Sequence, residues 1–211
     1  MAAGIERSDE LNGADQERWN ERYRAGAYAE LRHASDFLRE RESLMLSVEG
    51  RAAADFACGR GRNSRYLARL GYSVNAFDVS DVALRLAAED ASREHQPGYG
   101  EIHWHAQNLL TEGFVASSTY DVIIMVRFVA PTLLASLSKK LRPGGLLLVE
   151  EHLQYNGPET VVGPRGDRFR VAPGELASAL GQLELLENFE GLVVDPDGAR
   201  ASVARLVARA A

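Results

Sequence analysis

The sequence predicts a three-layer α/β/α sandwich built as a single domain, and two observations carry that prediction. From about residue 50 onwards, short apolar runs alternate with stretches of helical periodicity, which is typical of a parallel sheet with crossover helices. The run YDVIIMV at 120–126 is apolar apart from Asp121, as expected for a central strand covered on both faces. At 211 residues the chain can bury such a core without disulfides or structural metals.

The first 49 residues are expected to differ from the rest of the domain. Residues 1–14 are small and polar and lack periodicity, so we interpret them as a flexible tail. Residues 15–49 have helical periodicity with interruptions near Gly26 and Ser35, which predicts a helical N-terminal cap. Residues 50–211 then form the catalytic core.

The core is predicted to alternate strands and helices and to close with a hairpin. Strands are expected at 52–57, 73–78, 101–106, 120–126 and 146–153, with helices at about 62–70, 80–94 and 131–141. The strand at 101–106 alternates in polarity, which suits a position near a sheet edge. A long loop at 154–172 leads to a helix at about 173–181, and the turn DPDG joins two late apolar runs into the hairpin.

Composition and charge narrow the range of partners. The formal net charge is -6 and no long basic run offsets it, so nucleic acid is not an expected partner. Cys58 is the single cysteine and no Cys/His cluster has zinc spacing, which favours a reducing, cytoplasmic location and predicts no metal. No stretch approaches the roughly 18 apolar residues of a membrane span. We therefore expect a small-molecule substrate and no membrane partner, and a homodimer is the assembly left open.

A glycine-containing turn, DFACGRGRNS, follows the first core strand at 55–64. Gly59 and Gly61 permit a tight turn and close approach of the backbone to a ligand. Asp78 ends the second strand 19 residues after Gly59, where a carboxylate can accept hydrogen bonds from both hydroxyls of a ribose. Because the carboxyl ends of parallel strands meet at one edge of the sheet, these residues predict a nucleoside site.

Two further strand ends complete this predicted edge. Asn108 and Leu109 follow the third strand, where an amide can pair with an adenine edge and an apolar side chain can pack on its face. Val126 and Arg127 end the fourth strand, where the reactive end of the cofactor would meet its acceptor.

The choice of nucleoside cofactor lies between a dinucleotide and S-adenosylmethionine, since glycine turns and a ribose carboxylate serve both. Three features favour S-adenosylmethionine. Ser64 stands where a dinucleotide motif has its third glycine, and Asp55 precedes the turn where it would repel a pyrophosphate. The PGG turn at 143–145 and the terminal hairpin also extend the sheet differently.

The segment DFACGRGRNS, followed by YLARLGYSVNAFDVS, resembles the cofactor motif of class I S-adenosylmethionine-dependent methyltransferases. With RWNERYRAGAY, YDVIIMVRF, LRPGGLLLVEE and APGEL, the likeness extends to their tellurite-resistance and thiopurine methyltransferase-like branch. It implies a Rossmann-like sandwich with a seven-stranded, mostly parallel sheet and an antiparallel last strand. The likeness implies Asp55, Gly59 and Gly61 at the methionine part, Asp78 at the ribose and Asn108 at the adenine. The other predicted cofactor-binding residues are Cys58, Asn63, Val79, Leu109 and Val126.

The acceptor side departs from the branch. Its members often read Glu-Thr-Phe after the PGG strand, whereas here Glu150 is followed by Glu151 and His152. We interpret His152 as a candidate catalytic base, and a surface histidine is the alternative. Arg127 is the second catalytic candidate, either as an anchor for an anionic acceptor or as the partner of a carboxylate of the cofactor or the cap.

Aromatic and basic side chains outside the strand ends have two interpretations each. Trp19 and Tyr23 share a helix face and either pack the cap or close over the sulfonium, which an aromatic face attracts. The loop at 154–172 carries three arginines and is either a lid over an acidic substrate or a solvated loop.

The predicted function is methyl transfer from S-adenosylmethionine to a small-molecule thiol, chalcogen oxyanion or hydroxyl, with S-adenosylhomocysteine as the product. The alternative is a non-catalytic module that binds S-adenosylmethionine or S-adenosylhomocysteine as a subunit or regulator.

Overall fold

The computed structural model describes residues 5–7, 13–111, 118–195 and 198–211. Its helices are α1 Gly13–Arg24, α2 Asp36–Arg39, α3 Glu42–Leu46, α4 Arg62–Arg69, α5 Asp81–Glu94, α6 Pro131–Ser138 and α7 Glu175–Ser178. Its strands are β1 Ile5–Arg7, β2 Ala52–Phe56, β3 Ser73–Asp78, β4 Ile102–Ala106, β5 Tyr120–Val126, β6 Leu141–His152, β7 Glu184–Val194 and β8 Arg200–Arg209. A short 3-10 turn, Asp167–Phe169, lies between β6 and α7.

The described strands form one sheet in the order β1-β4-β3-β2-β5-β6-β8-β7. Neighbouring strands from β1 to β6 pair in parallel, whereas β8 is antiparallel to both β6 and β7. Strands β2–β8 thus form the predicted mostly parallel seven-stranded sheet with its antiparallel last strand. The β7–β8 hairpin closes the sheet as expected.

Strand β1 adds an eighth strand that the sequence analysis did not predict. Its residues lie within the segment interpreted as a flexible tail, and they pair with β4 so that Ile5 is opposite Trp104. Three residues are too short a run for a period of two to be recognised. Residues 1–4 and 8–12 of the predicted tail lie outside the described residues.

Helices cover both faces of the sheet, and each face has its own core. Because successive side chains of a strand point to opposite faces, Leu147 and Val149 of β6 face the core under α6 and α7. Leu146 and Leu148 face the core formed with α4, α5 and the cap. Strand β5 is buried along almost its whole length, which confirms the prediction of a central strand.

The predicted cap consists of α1, α2 and α3. Phe37, Leu38 and Met45 of the two shorter helices are fully buried against the core that faces α4. Helix α1 lies against α5, so the cap covers the edge where β2 and β3 end. Among the described residues, no helix is long and apolar enough to cross a bilayer.

Candidate functional site

The glycine turn after β2 has the left-handed backbone that the sequence predicted, with φ angles of 55° at Gly59 and 67° at Gly61. Packing requires glycine at both positions as well. A Cβ at Gly59 would lie 2.6 Å from the Tyr23 hydroxyl oxygen, and one at Gly61 would lie 2.6 Å from the Trp104 ring. The expected reason for these glycines, close approach to a ligand, is therefore only part of the explanation.

Asp55 lies near the end of β2 and its carboxyl group is buried. The Ser64 hydroxyl, on the first turns of α4, donates to Asp55 Oδ2 at 2.6 Å. Burial, together with the nearby charge of Asp78, raises the pKa of Asp55 to about 7, although the hydrogen bond from Ser64 acts in the opposite direction. The residue that replaces a third glycine thus orients the carboxyl group of the predicted methionine site.

Asp78 ends β3, and its carboxyl group accepts hydrogen bonds from backbone amides of the glycine turn and of the segment that follows β3. The amide of Gly59 donates to Oδ2 at 2.8 Å, and the amide of Ser80 donates to Oδ1 at 2.9 Å. Burial raises its pKa to about 6, although these amides act in the opposite direction. Each carboxyl oxygen can accept a second hydrogen bond, as ribose hydroxyls require.

The predicted adenine residues lie beside Asp78, because the amide of Gln107 donates to the Asp78 carbonyl at 2.8 Å. Asn108 is buried, and its Oδ1 accepts from the Leu110 amide at 3.0 Å. The oxygen assigned to the adenine amino group is therefore already used once, although a carbonyl oxygen can accept two bonds. Leu109 is buried in the same core cluster as Phe77.

Other predicted cofactor residues have structural partners. Cys58 is buried, and burial raises its thiol pKa well above the ordinary value, which suits a space-filling side chain. Asn63 accepts a hydrogen bond from the Ser35 amide at 3.0 Å and so joins α4 to the cap. Val79 and Val126 are half-buried at the ends of β3 and β5.

Of the two aromatic residues of α1, Tyr23 contacts the glycine turn. Trp19 and Tyr23 lie 6.1 Å apart between ring centroids, and Tyr23 packs on Val82 with its hydroxyl directed at Gly59. The guanidinium of Arg22 lies 4.8 Å from the Trp19 centroid. A cation of the protein therefore already stacks on Trp19, which leaves Tyr23 as the better candidate to contact a sulfonium.

Asn20, between those two aromatic residues, fastens the cap to the nucleoside site. It donates to Asp81 Oδ1 at 2.8 Å and accepts from the Ser80 hydroxyl at 2.7 Å. Ser80 in turn caps α5, since its hydroxyl oxygen accepts from the Ala83 amide at 3.1 Å. Sequence reasoning missed Asn20, and its only signal was a polar residue between two aromatic ones on one helix.

Arg127, one of the two catalytic candidates, is engaged in ion pairs. Its Nε donates to Glu150 at 2.6 Å and its Nη2 to Asp195 at 3.0 Å. Its backbone has a φ of 61°, uncommon for a residue with a side chain, and its amide donates to the Glu150 carbonyl. Arg127 thus pairs with carboxylates of β6 and of the segment after β7, which is neither of the two predicted roles.

Glu150 is the centre of this ion-pair network. It is buried, and Arg205 donates to its second oxygen at 2.6 Å. Burial acts to raise its pKa, but Arg127 and Arg205 outweigh burial and hold the pKa below its usual value. The two arginines thus keep a buried carboxylate ionised next to the predicted acceptor site.

His152, the other catalytic candidate, is a poor proton acceptor in this environment. Burial, followed by the charges of Arg127 and Arg170, lowers its pKa to about 4. Its Nδ1 lies 3.5 Å from Arg127 Nη1, and a Cβ at Gly163 would lie 2.6 Å from its Cε1. The imidazole is therefore uncharged at neutral pH and is covered by the loop after β6.

The loop at 154–172 is fixed by one of its own arginines. Arg170 donates to the carbonyl oxygens of Leu153 at 2.9 Å, Pro164 at 3.1 Å and Val162 at 3.3 Å. Val171 also pairs with Leu153 at the end of β6. Arg170 thus holds the loop together, and this use replaces the predicted contact with an acidic substrate for that residue.

Glu151 and Ser202 are buried polar residues that sequence reasoning did not select. Both side chains are fully covered, and neither has a hydrogen bond of normal length among the described residues, although the Phe128 amide faces the Glu151 carboxyl group and acts to lower its pKa. Burial, and then the charge of Glu150, raises the pKa of Glu151 well above its ordinary value. Buried polar groups without partners are rare in native structures, so this pair needs an explanation.

Comparison with known proteins agrees with this geometry. Residues 53–145 match a family described as a methyltransferase domain. Over 107 residues the chain is 34% identical to the ubiquinone biosynthesis O-methyltransferase of Caulobacter sp. (strain K31), which covers 48% of this chain and 40% of that protein. The chain therefore spans less than half the length of that relative.

Solved structures show the same fold over most of the chain. TehB from Haemophilus influenzae superposes with a TM-score of 0.66 at 21% identity, covering 83% of this chain and 62% of that one. Magnesium protoporphyrin IX methyltransferase (ChlM) from Synechocystis PCC 6803, with bound SAH, has a TM-score of 0.63 at 16% identity over 96% and 97% of the two chains. The likeness establishes the Rossmann-like class I methyltransferase fold.

Proposed function

We propose that this protein is an S-adenosylmethionine-dependent methyltransferase that acts on a small-molecule hydroxyl. The observation that carries the proposal is the pair of buried carboxyl groups, Asp55 and Asp78, at the ends of adjacent strands on either side of the glycine turn. Buried carboxyl groups with raised pKa values mark functional sites. The match of residues 53–145 to a methyltransferase domain supports the same assignment.

The donor sets of these two residues fit the parts of S-adenosylmethionine. Asp55 has one oxygen engaged by Ser64, and its other oxygen is suited to the ammonium group of the methionine part. Asp78 would accept from the ribose hydroxyls with the lone pairs that the Gly59 and Ser80 amides do not use. S-adenosylmethionine, when bound, supplies an electrophilic methyl group. The fold of ChlM with bound SAH supports this choice of cofactor.

The residues of this chain would contribute mainly by positioning and by excluding water. Tyr23 and the cap cover the glycine turn, and the loop after β6 covers His152. Holding two reactants in line can supply much of the rate of a displacement, since effective molarities reach about 10⁵ M or more. His152, uncharged at neutral pH, would accept a hydrogen bond from an acceptor hydroxyl, but with a pKa of about 4 it is too weak a base to remove the proton of a phenol.

A hydroxyl acceptor is favoured over a thiol or a chalcogen oxyanion by two facts. The relative from Caulobacter is named an O-methyltransferase. Arg127 is paired with Glu150 and Asp195, so it does not offer the unpaired cation that an oxyanion acceptor would require. The assignment to the tellurite-resistance and thiopurine methyltransferase-like branch stays a prediction.

Two measurements test the proposal in sequence. Calorimetry with S-adenosylhomocysteine should show binding at micromolar concentration, and no binding at millimolar concentration would exclude both the methyltransferase and the non-catalytic binding module. Release of S-adenosylhomocysteine from S-adenosylmethionine in the presence of phenols, thiols, amines and selenite separates these two. Binding without release for any acceptor would favour the non-catalytic module.

A further inference from the structure

The two unpartnered polar groups, Glu151 and Ser202, lie on the same face of the sheet. In the antiparallel pairing of β6 with β8, Glu151 is opposite Ala204, and the Leu153 amide donates to the Ser202 carbonyl. Ala204, Leu153 and Val149 all belong to the core that faces α6 and α7. By the alternation of both strands, the Glu151 and Ser202 side chains enter that core as diagonal neighbours.

Apolar side chains pack around this pair, and the Phe128 amide approaches the Glu151 carboxyl group. Phe128 and Val129 pack on the same core from the loop after β5, and Val171 covers the end of β6 through its pairing with Leu153. A buried polar group without a hydrogen bond costs free energy relative to its hydrated state. A folded protein retains such a cost most readily where a ligand supplies the missing partners.

Glu151 lies two strands away from the strand that leads into the predicted cofactor site. Strand β5 lies between β6 and β2, and β2 leads into the glycine turn. Two strand spacings amount to roughly 10 Å, a distance that a substituted phenol can span. Asp55 faces α4 and Glu151 faces α6 and α7, so an acceptor held at Glu151 would reach the cofactor over the carboxyl end of β5.

We infer that Glu151 and Ser202 bind a non-reacting hydroxyl group of an uncharged, otherwise apolar acceptor of the phenol class. This inference rests on the proposed function and selects its acceptor. Burial and the Glu150 charge favour the protonated form of Glu151, which both donates and accepts a hydrogen bond, as Ser202 also does. A thiol is a weak hydrogen-bond donor and acceptor, and an oxyanion would find no unpaired cation in Arg127, which is held by Glu150 and Asp195, so both fit this pair poorly.

Access to the pair requires movement of the loop after β6. Both side chains are fully covered in this structure, and the covering segment is held by the Leu153–Val171 pairing and by Arg170. Gly163 and Gly166 in that segment have left-handed φ angles of 117° and 94°. The acceptor would enter while this segment is displaced and would be enclosed when it returns.

The test uses catechol as the probe and the full chain saturated with S-adenosylhomocysteine. We expect catechol to raise the melting temperature of this complex and to be methylated when S-adenosylmethionine replaces the product. Glu151→Leu should weaken catechol binding at least tenfold, and it should raise the melting temperature of the ligand-free protein by about 3 °C or more, because it removes an unpartnered carboxyl group. Its affinity for S-adenosylhomocysteine should not change.

Asp121→Asn is the matched control. Asp121 is also a buried carboxylate, but it bonds the Ala52 amide and Arg142 at the start of β5, away from the site. This variant should lose stability and keep catechol affinity. Ser202→Ala should weaken catechol binding severalfold, and it provides a second test if Glu151→Leu does not fold.

Three results would overturn the inference. The first is catechol affinity within twofold of the unmodified protein in both Glu151→Leu and Ser202→Ala, which would assign the pair to a buried water. The second is wild-type protein that binds S-adenosylhomocysteine but no phenol. The third is turnover of benzenethiol or selenite but not of catechol. Failure to bind S-adenosylhomocysteine would instead remove the proposed function itself.

Discussion

The edge where the parallel strands end has two halves, the cofactor half at β2 and β3 and the acceptor half at β5 and β6. Buried acidic residues are stabilised differently in each half. At β2 and β3, Asp55 and Asp78 are buried with raised pKa values, and a side chain or backbone group already donates to each of them. At β5 and β6, Glu150 is held ionised by two arginines, whereas Glu151 has no partner. The cofactor half is arranged for S-adenosylmethionine. The acceptor half combines the ion-pair network of Glu150 with the unpartnered pair Glu151 and Ser202.

The largest expected effect is on the free energy of unfolding, and it tests the ion-pair network of Glu150 on β6. Glu150→Ala leaves Arg127 and Arg205 facing each other without their shared carboxylate, and it should lower the free energy of unfolding by about 3 kcal/mol. Urea denaturation measures this loss. Glu187→Ala, which removes an exposed ion pair with Arg41, should cost less than about 1 kcal/mol. Equal losses in the two variants would show that the network contributes no more than a surface pair.

The next effect tests the cofactor half alone. Asp78→Ala removes the acceptor of the Gly59 and Ser80 amides and of the proposed ribose hydroxyls. We expect about a hundredfold weaker binding of S-adenosylhomocysteine by calorimetry, equivalent to about 2.7 kcal/mol. Undiminished affinity would disprove the ribose assignment, and the Glu150→Ala variant should retain affinity within twofold.

A pH titration distinguishes the halves by their charge. Donors of the cofactor favour the ionised forms of Asp55 and Asp78, whose pKa values are about 7 and about 6, so affinity for S-adenosylhomocysteine should fall as the pH falls. We expect roughly tenfold weaker binding at pH 5.5 than at pH 8. Asp55→Asn should flatten the dependence above pH 6, and a flat profile in the unmodified protein would contradict the charge assignment.

Asp55 and Asp78 also affect the stability of the ligand-free protein, and this effect has the opposite pH dependence. Their pKa values are about 3.9 when the chain is unfolded, so the folded state binds protons that the unfolded state has lost between pH 4 and pH 7. Their contribution to the free energy of unfolding should therefore fall as the pH rises through this range. Urea denaturation of the unmodified protein and of Asp55→Asn would separate this contribution from that of other groups.

The smallest effect tests how the cap serves the cofactor half. Asn20→Ala removes the bonds to Asp81 and Ser80, and it should lower the free energy of unfolding by about 1 kcal/mol and weaken S-adenosylhomocysteine binding about threefold. Arg24→Ala on the same helix removes only an exposed pair with Glu17 and should change neither quantity measurably. A similar response of the two variants would mean that the cap does not act through Asn20.

Much of the cofactor half could be predicted because its residues follow local rules. A strand that ends in an acid, a turn that needs left-handed glycines and a second acid after the next strand can all be read within about 25 consecutive residues. The partners of Asp78 are likewise near in sequence, at Gly59 and Ser80. The sheet followed from hydrophobic patterns of the same short range.

The acceptor half could not be predicted because its partners are distant in sequence. Arg127 meets Asp195 across 68 positions, and Arg205 meets Glu150 across 55. The sequence offered Arg127 and His152 as candidates, but it could not show that the first was already paired or that burial would lower the pKa of the second. The cap contact through Asn20 escaped prediction for the same reason.

Sequence alone determined the fold class, the glycine turn and the two acids that define the cofactor edge, because each depends on local periodicity and on where a strand ends. Tertiary structure alone decided which partners the adjacent acids Glu150 and Glu151 have. One residue of displacement along β6 turns a side chain to the opposite face of the sheet. There Glu150 meets two arginines, while Glu151 enters an apolar core beside Ser202.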